Sequence, residues 1–280
     1  MSFHARLTAA ARTNNSWLCI GLDPDPTLMP PVPVLEFNKA IIDATRDLVC
    51  AYKPNLAFYQ TFGPAGLEML YETVRYIDGA VPVIADAKCA DVGHTAAAYA
   101  RGLLQTFGCD AVTVNPYLGY DGVEPFLAFE DKGVFLLCRT SNPGAADLQG
   151  LRCIDPSGDD QTERRGTELL FEVVARKAVS WNSGDRLGLV VGATSPRELQ
   201  RVRELCPDML LLIPGVGPQG GDLEKSIHAG IDSSGESAII NASRQVIYAS
   251  RGGDFPAAAR EVALHLRDRI NAVRQSVSLS

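Results

Sequence analysis

Eight short apolar runs, bounded by turn residues and separated by helix-like stretches, recur along the chain. They are Trp17–Leu22, Val49–Lys53, Val81–Ala85, Ala111–Asn115, Val134–Arg139, Leu187–Gly192, Met209–Pro214 and Ala238–Asn241. Each run is continuous rather than alternating, the pattern of a parallel strand buried on both faces. Amphipathic stretches fall between them at Val34–Leu48, Gly66–Ile77, His94–Phe107, Thr162–Asn182 and Pro196–Leu205, and Asp254–Gln275 closes the chain. Eight β-α units in 280 residues favour an α/β fold of the (β/α)₈ TIM-barrel type. We expect one domain over residues 1–280 with short N- and C-terminal extensions. An open doubly wound sheet is the alternative. Against it, GLDPDP follows the first run where a dinucleotide site would carry GxGxxG.

Composition narrows the function. Hydrophobic residues make up 46% and charged residues 21%, enough for a sizeable core. The net charge of −7 argues against a nucleic-acid surface. The seven cysteines include no CxxC pair, so zinc spacing is missing. No apolar stretch is long enough to span a membrane. The segment MSFHARLTAAARTNN lacks a signal-peptide layout, and a reducing cytoplasm is the expected location.

In this barrel the active site lies at the C-terminal strand ends. Those ends read Asp23, Lys53, Asp86 with Lys88, Asn115, Thr140-Ser141-Asn142, Thr194, the loop 214–222, and Ser243-Arg244. The third run turns abruptly ionic in ADAKCADVGHT, where Asp86 and Lys88 share a face if the strand continues. Asp91 and Thr95 follow where a helix begins. Charges this close perturb one another's protonation, as at many active sites, although an ion pair closing a strand end gives the same pattern. Asn115 and Thr194 read equally well as solvated loop residues. The loop after the seventh run has four glycines in eight residues, and Arg244 follows the eighth run. Together they occupy the usual phosphate position of the fold. The longest irregular piece is 141–161, rich in Gly, Pro and Asp.

The ordered segments GLDPDP, YKPNLAFYQ, DAKCADVGHTA, CRTSNPGA, PGVGPQGGD and INASRQVIYAS resemble orotidine 5′-monophosphate decarboxylase, in the form of its longer bacterial branch. The likeness covers about residues 17–251. It implies a carboxy-lyase that converts orotidine 5′-monophosphate to uridine 5′-monophosphate and CO₂ in pyrimidine biosynthesis. It also implies that no cofactor or metal is used. The family's catalytic charges map to Lys53, Asp86, Lys88 and Asp91, with Lys88 as proton donor. The substrate-binding positions map to Asp23 for the ribose, Ser141 for the pyrimidine edge, and Gln219 with Arg244 for the phosphate. Asp91 and Thr95 correspond to residues supplied by a second subunit, so a homodimer with shared active sites is implied.

The chain departs from the branch at Cys89, where Arg is usual, and at Val92, where Ile is usual. On an extended backbone Cys89 would point away from the site, which makes it a packing change. His94 reads as a solvated helix-start residue. Two other functions fit part of the pattern. Sugar-phosphate relatives of the barrel share Asp-x-Lys-x-x-Asp but use magnesium; Lys53 and the TSNPG segment fit them less well. A non-catalytic nucleotide-binding module would be expected to have lost one of the four charges, and none is lost.

Overall fold

The computed structural model describes residues 1–154, 167–217 and 221–278. Among these, every one of the eight apolar runs overlaps a strand. The strands are β1 (Leu18–Leu22), β2 (Ala51–Pro54), β3 (Ile84–Cys89), β4 (Ala111–Val114), β5 (Gly133–Arg139), β6 (Leu187–Val191), β7 (Leu210–Pro214) and β8 (Ala238–Ala242). They pair in parallel in the order β2-β1-β8-β7-β6-β5-β4-β3. Two isolated parallel bridges, Tyr52↔Val83 and Asn55↔Asp86, close the seam between β2 and β3. The sheet is thus a (β/α)₈ barrel, and the open-sheet alternative falls away.

Burial explains the runs. All positions of β1, β2, β4, β6 and β8 are buried, with helices outside and packed side chains within. Helices Val34–Thr45, Pro64–Ile77, Tyr120–Leu127, Leu170–Trp181, Pro196–Leu205 and Leu223–Gly230 form most of the outer ring. Phe255–Ser278 completes it, with the Phe255 ring stacked 5.2 Å from Phe37.

Three boundaries differ from the sequence reading. The stretch His94–Phe107 divides into an α-helix, Gly93–Ala100, and a wider π-helical turn, Arg101–Thr106, in which Phe107 N–H reaches back five residues to the Gly102 carbonyl. Within the stretch Thr162–Asn182, the residues described from 167 onward turn helical at Leu170, because Glu168–Leu169 pairs with Arg152–Cys153 in a two-stranded ribbon. Glu172 Oε2 accepts from Leu169 N–H at 2.8 Å and fixes that helix start. Finally, the N-terminal extension contains a helix, Phe3–Thr13, that buries Phe3, Leu7 and Ala11. Its Phe3 meets Phe135 of β5 edge-on at 5.8 Å, and Arg6 pairs with Asp110 at 2.8 Å. It is a lid on the end of the barrel opposite the strand C-termini.

Candidate active site

β3 carries the densest charge. Lys53 Nζ donates to Asp86 Oδ2 at 2.8 Å, and Lys88 Nζ donates to Asp86 Oδ1 at 2.6 Å. Lys53 is buried and Asp86 largely so, with 11% of its side chain exposed, whereas the Lys88 side chain is 50% exposed. Burial alone would raise the Asp86 pKa, but the two ammonium groups outweigh it and hold the carboxyl at about 2. Burial likewise pushes Lys53 down, and Asp86 and Asp23 overcome it, so its pKa lies above the ordinary lysine value. Asp86 and Lys53 are therefore both ionised at neutral pH.

The backbone here is not a plain strand. Lys88 has φ of +48°, a left-handed conformation rare for a side-chain-bearing residue, and the pairing with β4 shifts register between Ala85 and Cys89. Thr113 of β4 accommodates the irregularity. Its hydroxyl accepts from Lys88 N–H at 2.9 Å and donates to Asp86 Oδ1 at 3.1 Å. One side chain thus satisfies the distorted backbone and orients the carboxylate. Sequence reasoning passed over Thr113, although a lone hydroxyl in the run Ala111-Val112-Thr113-Val114 is a signal. Cys89 is buried, and burial pushes its thiol up to about 11, which suits packing rather than nucleophilic chemistry.

Asp23, at the end of β1, accepts from Ser243 Oγ at 2.6 Å through Oδ2. Its Oδ1 is buried with no partner among the described residues, an acceptor left open. Tyr248 donates to the Asp23 carbonyl at 2.6 Å and accepts from Asp25 N–H at 2.7 Å, tying the β1 and β8 loops together. Ser243 stands among the strand-end residues read from sequence, without this role; Tyr248 does not.

Ser141 lies past the end of β5, against β6 and β7. A Cβ on Gly192 would come within 2.7 Å of the Ser141 Cβ, so only glycine allows that approach. Gly215 begins the glycine-rich loop with φ of +91°. Gln245 Nε2 donates to the Val216 carbonyl at 3.3 Å, fastening this loop to the residues after β8. Arg244 opens the short helix Arg244–Ile247; it is exposed and makes no hydrogen bond or ion pair among the described residues. Gln219 lies outside the described residues, as do residues 155–161 of the irregular segment 141–161.

Asp91 and Thr95 make no hydrogen bond or ion pair to this group among the described residues. Asp91 Oδ1 accepts from Val92 N–H at 2.8 Å, and among the described residues no ion pair joins it to Lys53 or Lys88. Thr95 lines an apolar groove of about 310 Å³ with Leu56, Leu67, Tyr99 and Phe107. Asn115 is a cap, accepting from Tyr117 N–H at 3.1 Å, and His94 is exposed at a helix start. Among the described residues no group of three or more His, Cys, Asp or Glu side chains is arranged to hold a metal ion, and no helix is long and apolar enough to cross a membrane.

Comparison with known proteins places this geometry in a lineage. Orotidine 5′-phosphate decarboxylase from Dehalococcoides mccartyi is 49% identical over 277 residues, covering 98% of this chain and 99% of that one. The protein of the same name from Roseiflexus sp. is 50% identical over 278 residues, covering 97% and 98%. Among solved structures, OMP decarboxylase of Leishmania donovani superposes with a TM-score of 0.82 at 38% identity, covering 98% of this chain and all of that one. A Toxoplasma gondii structure described as a putative orotidine-monophosphate decarboxylase gives 0.87 at 35%, covering 99% and 98%. Residues 16–261 match the family described as Orotidine 5′-phosphate decarboxylase / HUMPS, and the chain belongs to that family.

Proposed function

We propose that this chain decarboxylates orotidine 5′-monophosphate to uridine 5′-monophosphate and CO₂ without a metal or organic cofactor. The observation that carries the reading is the largely buried Asp86 carboxylate held between Lys53 at 2.8 Å and a half-exposed Lys88 at 2.6 Å. Loss of CO₂ leaves an electron pair on ring carbon 6 that no carbonyl can delocalise. The protein must stabilise that charge electrostatically, within the roughly 8–23 kcal/mol that enzymes remove from barriers. A preformed ammonium at that carbon does so. As the carbon–carbon bond breaks and its electrons remain on the ring, the Lys88 Nζ–H proton transfers to form the new C–H bond. Lys88 then regains a proton from solvent, to which its exposure gives access.

Asp23 Oδ1, left open, suits a ribose hydroxyl. Ser141 suits the pyrimidine edge, and Arg244 with Gln219 and the N–H groups of the glycine-rich loop suit the phosphate. Both Asp86 oxygens are engaged by ammonium groups, which disfavours a magnesium ion there and with it the sugar-phosphate chemistry of related barrels. The assay that tests the reading is loss of the orotate chromophore on adding orotidine 5′-monophosphate, with and without EDTA. Turnover unaffected by EDTA is expected. Activity abolished by chelation and restored by magnesium would move the chain to the sugar-phosphate branch.

That neither Asp91 nor Thr95 makes a hydrogen bond or ion pair to Lys53 or Lys88 among the described residues supports a homodimer in which these two side chains complete the neighbouring site. The surface beside them is unusually apolar for solvent, with Val92, Tyr99 and Leu67 all exposed. Mixing inactive Lys88→Ala with inactive Asp91→Ala subunits should regenerate activity. About half of the dimers would be mixed, each with one intact site, so about a quarter of all sites should recover. No recovery after confirmed subunit exchange would mean that Asp91 acts within its own chain. The seven free cysteines, six of them buried, suit the reducing cytoplasm expected for such an enzyme.

A further inference from the structure

The geometry points to Gln149 as a positioning residue for Ser141, so that part of the excursion between β5 and the helix Leu170–Trp181 is a brace for base recognition. This rests on the proposed role of Ser141 at the pyrimidine edge. Gln149 ends a short helix, Ala146–Gln149, and reaches back to the end of β5. Thr140 N–H donates to Gln149 Oε1 at 2.8 Å, and Gln149 Nε2 donates to Thr140 Oγ1 at 2.9 Å. The same hydroxyl donates onward to Asn142 Oδ1 at 2.6 Å. The residues on both sides of Ser141 are therefore tied to one amide, the first directly and the second through a hydroxyl.

Other contacts fix the remaining freedom. Ser141 abuts Gly192 on β6's end, and its carbonyl accepts from Thr194 Oγ1 at 3.4 Å. Behind the amide, Arg139 donates to the Thr140 carbonyl at 3.2 Å and lies 3.6 Å from Glu198. The Ser141 hydroxyl has no hydrogen-bond partner among the described residues. A free hydroxyl on a segment clamped at both flanks is the arrangement needed to meet a ligand in a fixed position, because small misplacement of a polar contact forfeits much of its effect. The excursion is itself anchored, since Leu170 N–H donates to the Leu151 carbonyl at 2.8 Å.

Only an amide can accept from Thr140 N–H while donating to its hydroxyl. Gln149→Glu keeps the acceptor, and Gln149→Met keeps the shape but neither bond. For kcat/KM on orotidine 5′-monophosphate we expect the order parent, Glu, Met, with the Met variant about tenfold below parent, as two modest hydrogen bonds allow. Assays run below the melting temperature of every variant separate this from unfolding. A merely structural residue would lower activity whatever stands at 141. A positioning residue acts only through Ser141, so Gln149→Met in a Ser141→Ala background should change kcat/KM by less than about twofold. A full second tenfold loss in that background would overturn the proposal, as would an unchanged kcat/KM for Gln149→Met alone. If Ser141→Ala by itself leaves kcat/KM intact, the base-reading role fails and the proposal goes with it. A failure of the double variant alone leaves that role standing and removes only Gln149.

Discussion

The two sides of the barrel mouth are built on different terms. At the end of β3 the charges are answered within the chain: Asp86 has Lys53, Lys88 and the Thr113 hydroxyl around it. Across the mouth, Arg244 stands exposed beside a glycine-rich loop and makes no ion pair among the described residues. The first side is organised before any ligand arrives, as electrostatic stabilisation of a developing charge requires. On the proposed reading the second is completed by the substrate's phosphate, as a grip that converts binding energy into closure requires. Chemistry and binding on that reading sit on separate strand ends of one barrel, and substitutions on the two sides should fail in different ways.

The largest expected effect is Lys88→Ala. Turnover should fall by at least about a thousandfold, because proton donor and local positive charge go together. Asp86 keeps Lys53 as its partner, so the fold should survive. The positive φ sharpens the test: Lys88→Gly should be equally inactive yet no less stable than Lys88→Ala, since glycine takes that conformation without strain. Activity within tenfold of the parent, in a chromophore assay on folded protein, would break the assignment of chemistry to this side.

Arg244→Ala comes next and tests the other side. We expect kcat/KM on the nucleotide to fall about a hundredfold, from loss of a charged fork at the phosphate, while the slow reaction of the bare nucleoside barely changes. Gln219→Ala should act in the same direction but less, because a neutral amide gives a weaker hydrogen bond. Equal fractional losses on nucleotide and nucleoside would show that Arg244 belongs with the chemistry or the fold.

The contrast between the two sides was only partly legible in the sequence. All eight strands stand out because burial on both faces writes a continuous apolar run. The ionic residues at their ends stand out against those runs, so Lys53, Asp86, Lys88 and Asp23 could be named from position alone. The left-handed turn at Lys88 could not. It is set by a register shift against β4 and by Thr113, a partner 25 residues away, and local propensity carries no trace of it. The helix Phe3–Thr13 did leave a trace, in the four-residue spacing of Phe3, Leu7 and Ala11, but it is too short and weakly apolar to stand out from a terminal extension. The start of the helix at Leu170 was marked by Glu172, whose capping role is visible only once Leu169 is known to lie in a ribbon.

A smaller effect probes the preorganised side through pH. The Asp86 pKa falls from 3.8 to about 2 on folding, worth about 2 kcal/mol. As pH drops, the unfolded chain takes up this proton first. The contribution is therefore full above about pH 4 and is lost as pH falls through about 2. Asp86→Asn should be less stable at neutral pH, since Lys53 stays buried without its partner. It should nevertheless lose less stability than the parent between pH 4 and 2. Denaturant titrations across that window decide the matter; equal slopes for the two proteins would mean that Asp86 is not held ionised by its lysines.

The smallest expected effect isolates Thr113, whose hydroxyl makes the prebuilt side hold its shape. Thr113→Val keeps the volume but removes the acceptor of Lys88 N–H and a donor to Asp86. Two partly buried hydrogen bonds go, so stability should drop by about 1 kcal/mol and kcat/KM by about tenfold. Thr113→Ser restores the hydroxyl and should recover most of the activity while losing only a methyl group's packing. The loss should appear equally on nucleotide and nucleoside, because Thr113 touches the β3 charges and not the phosphate side. A Thr113→Val effect confined to the nucleotide would erase the distinction between the two sides, and a Ser variant no better than Val would show that the methyl, not the hydroxyl, supports the turn at Lys88.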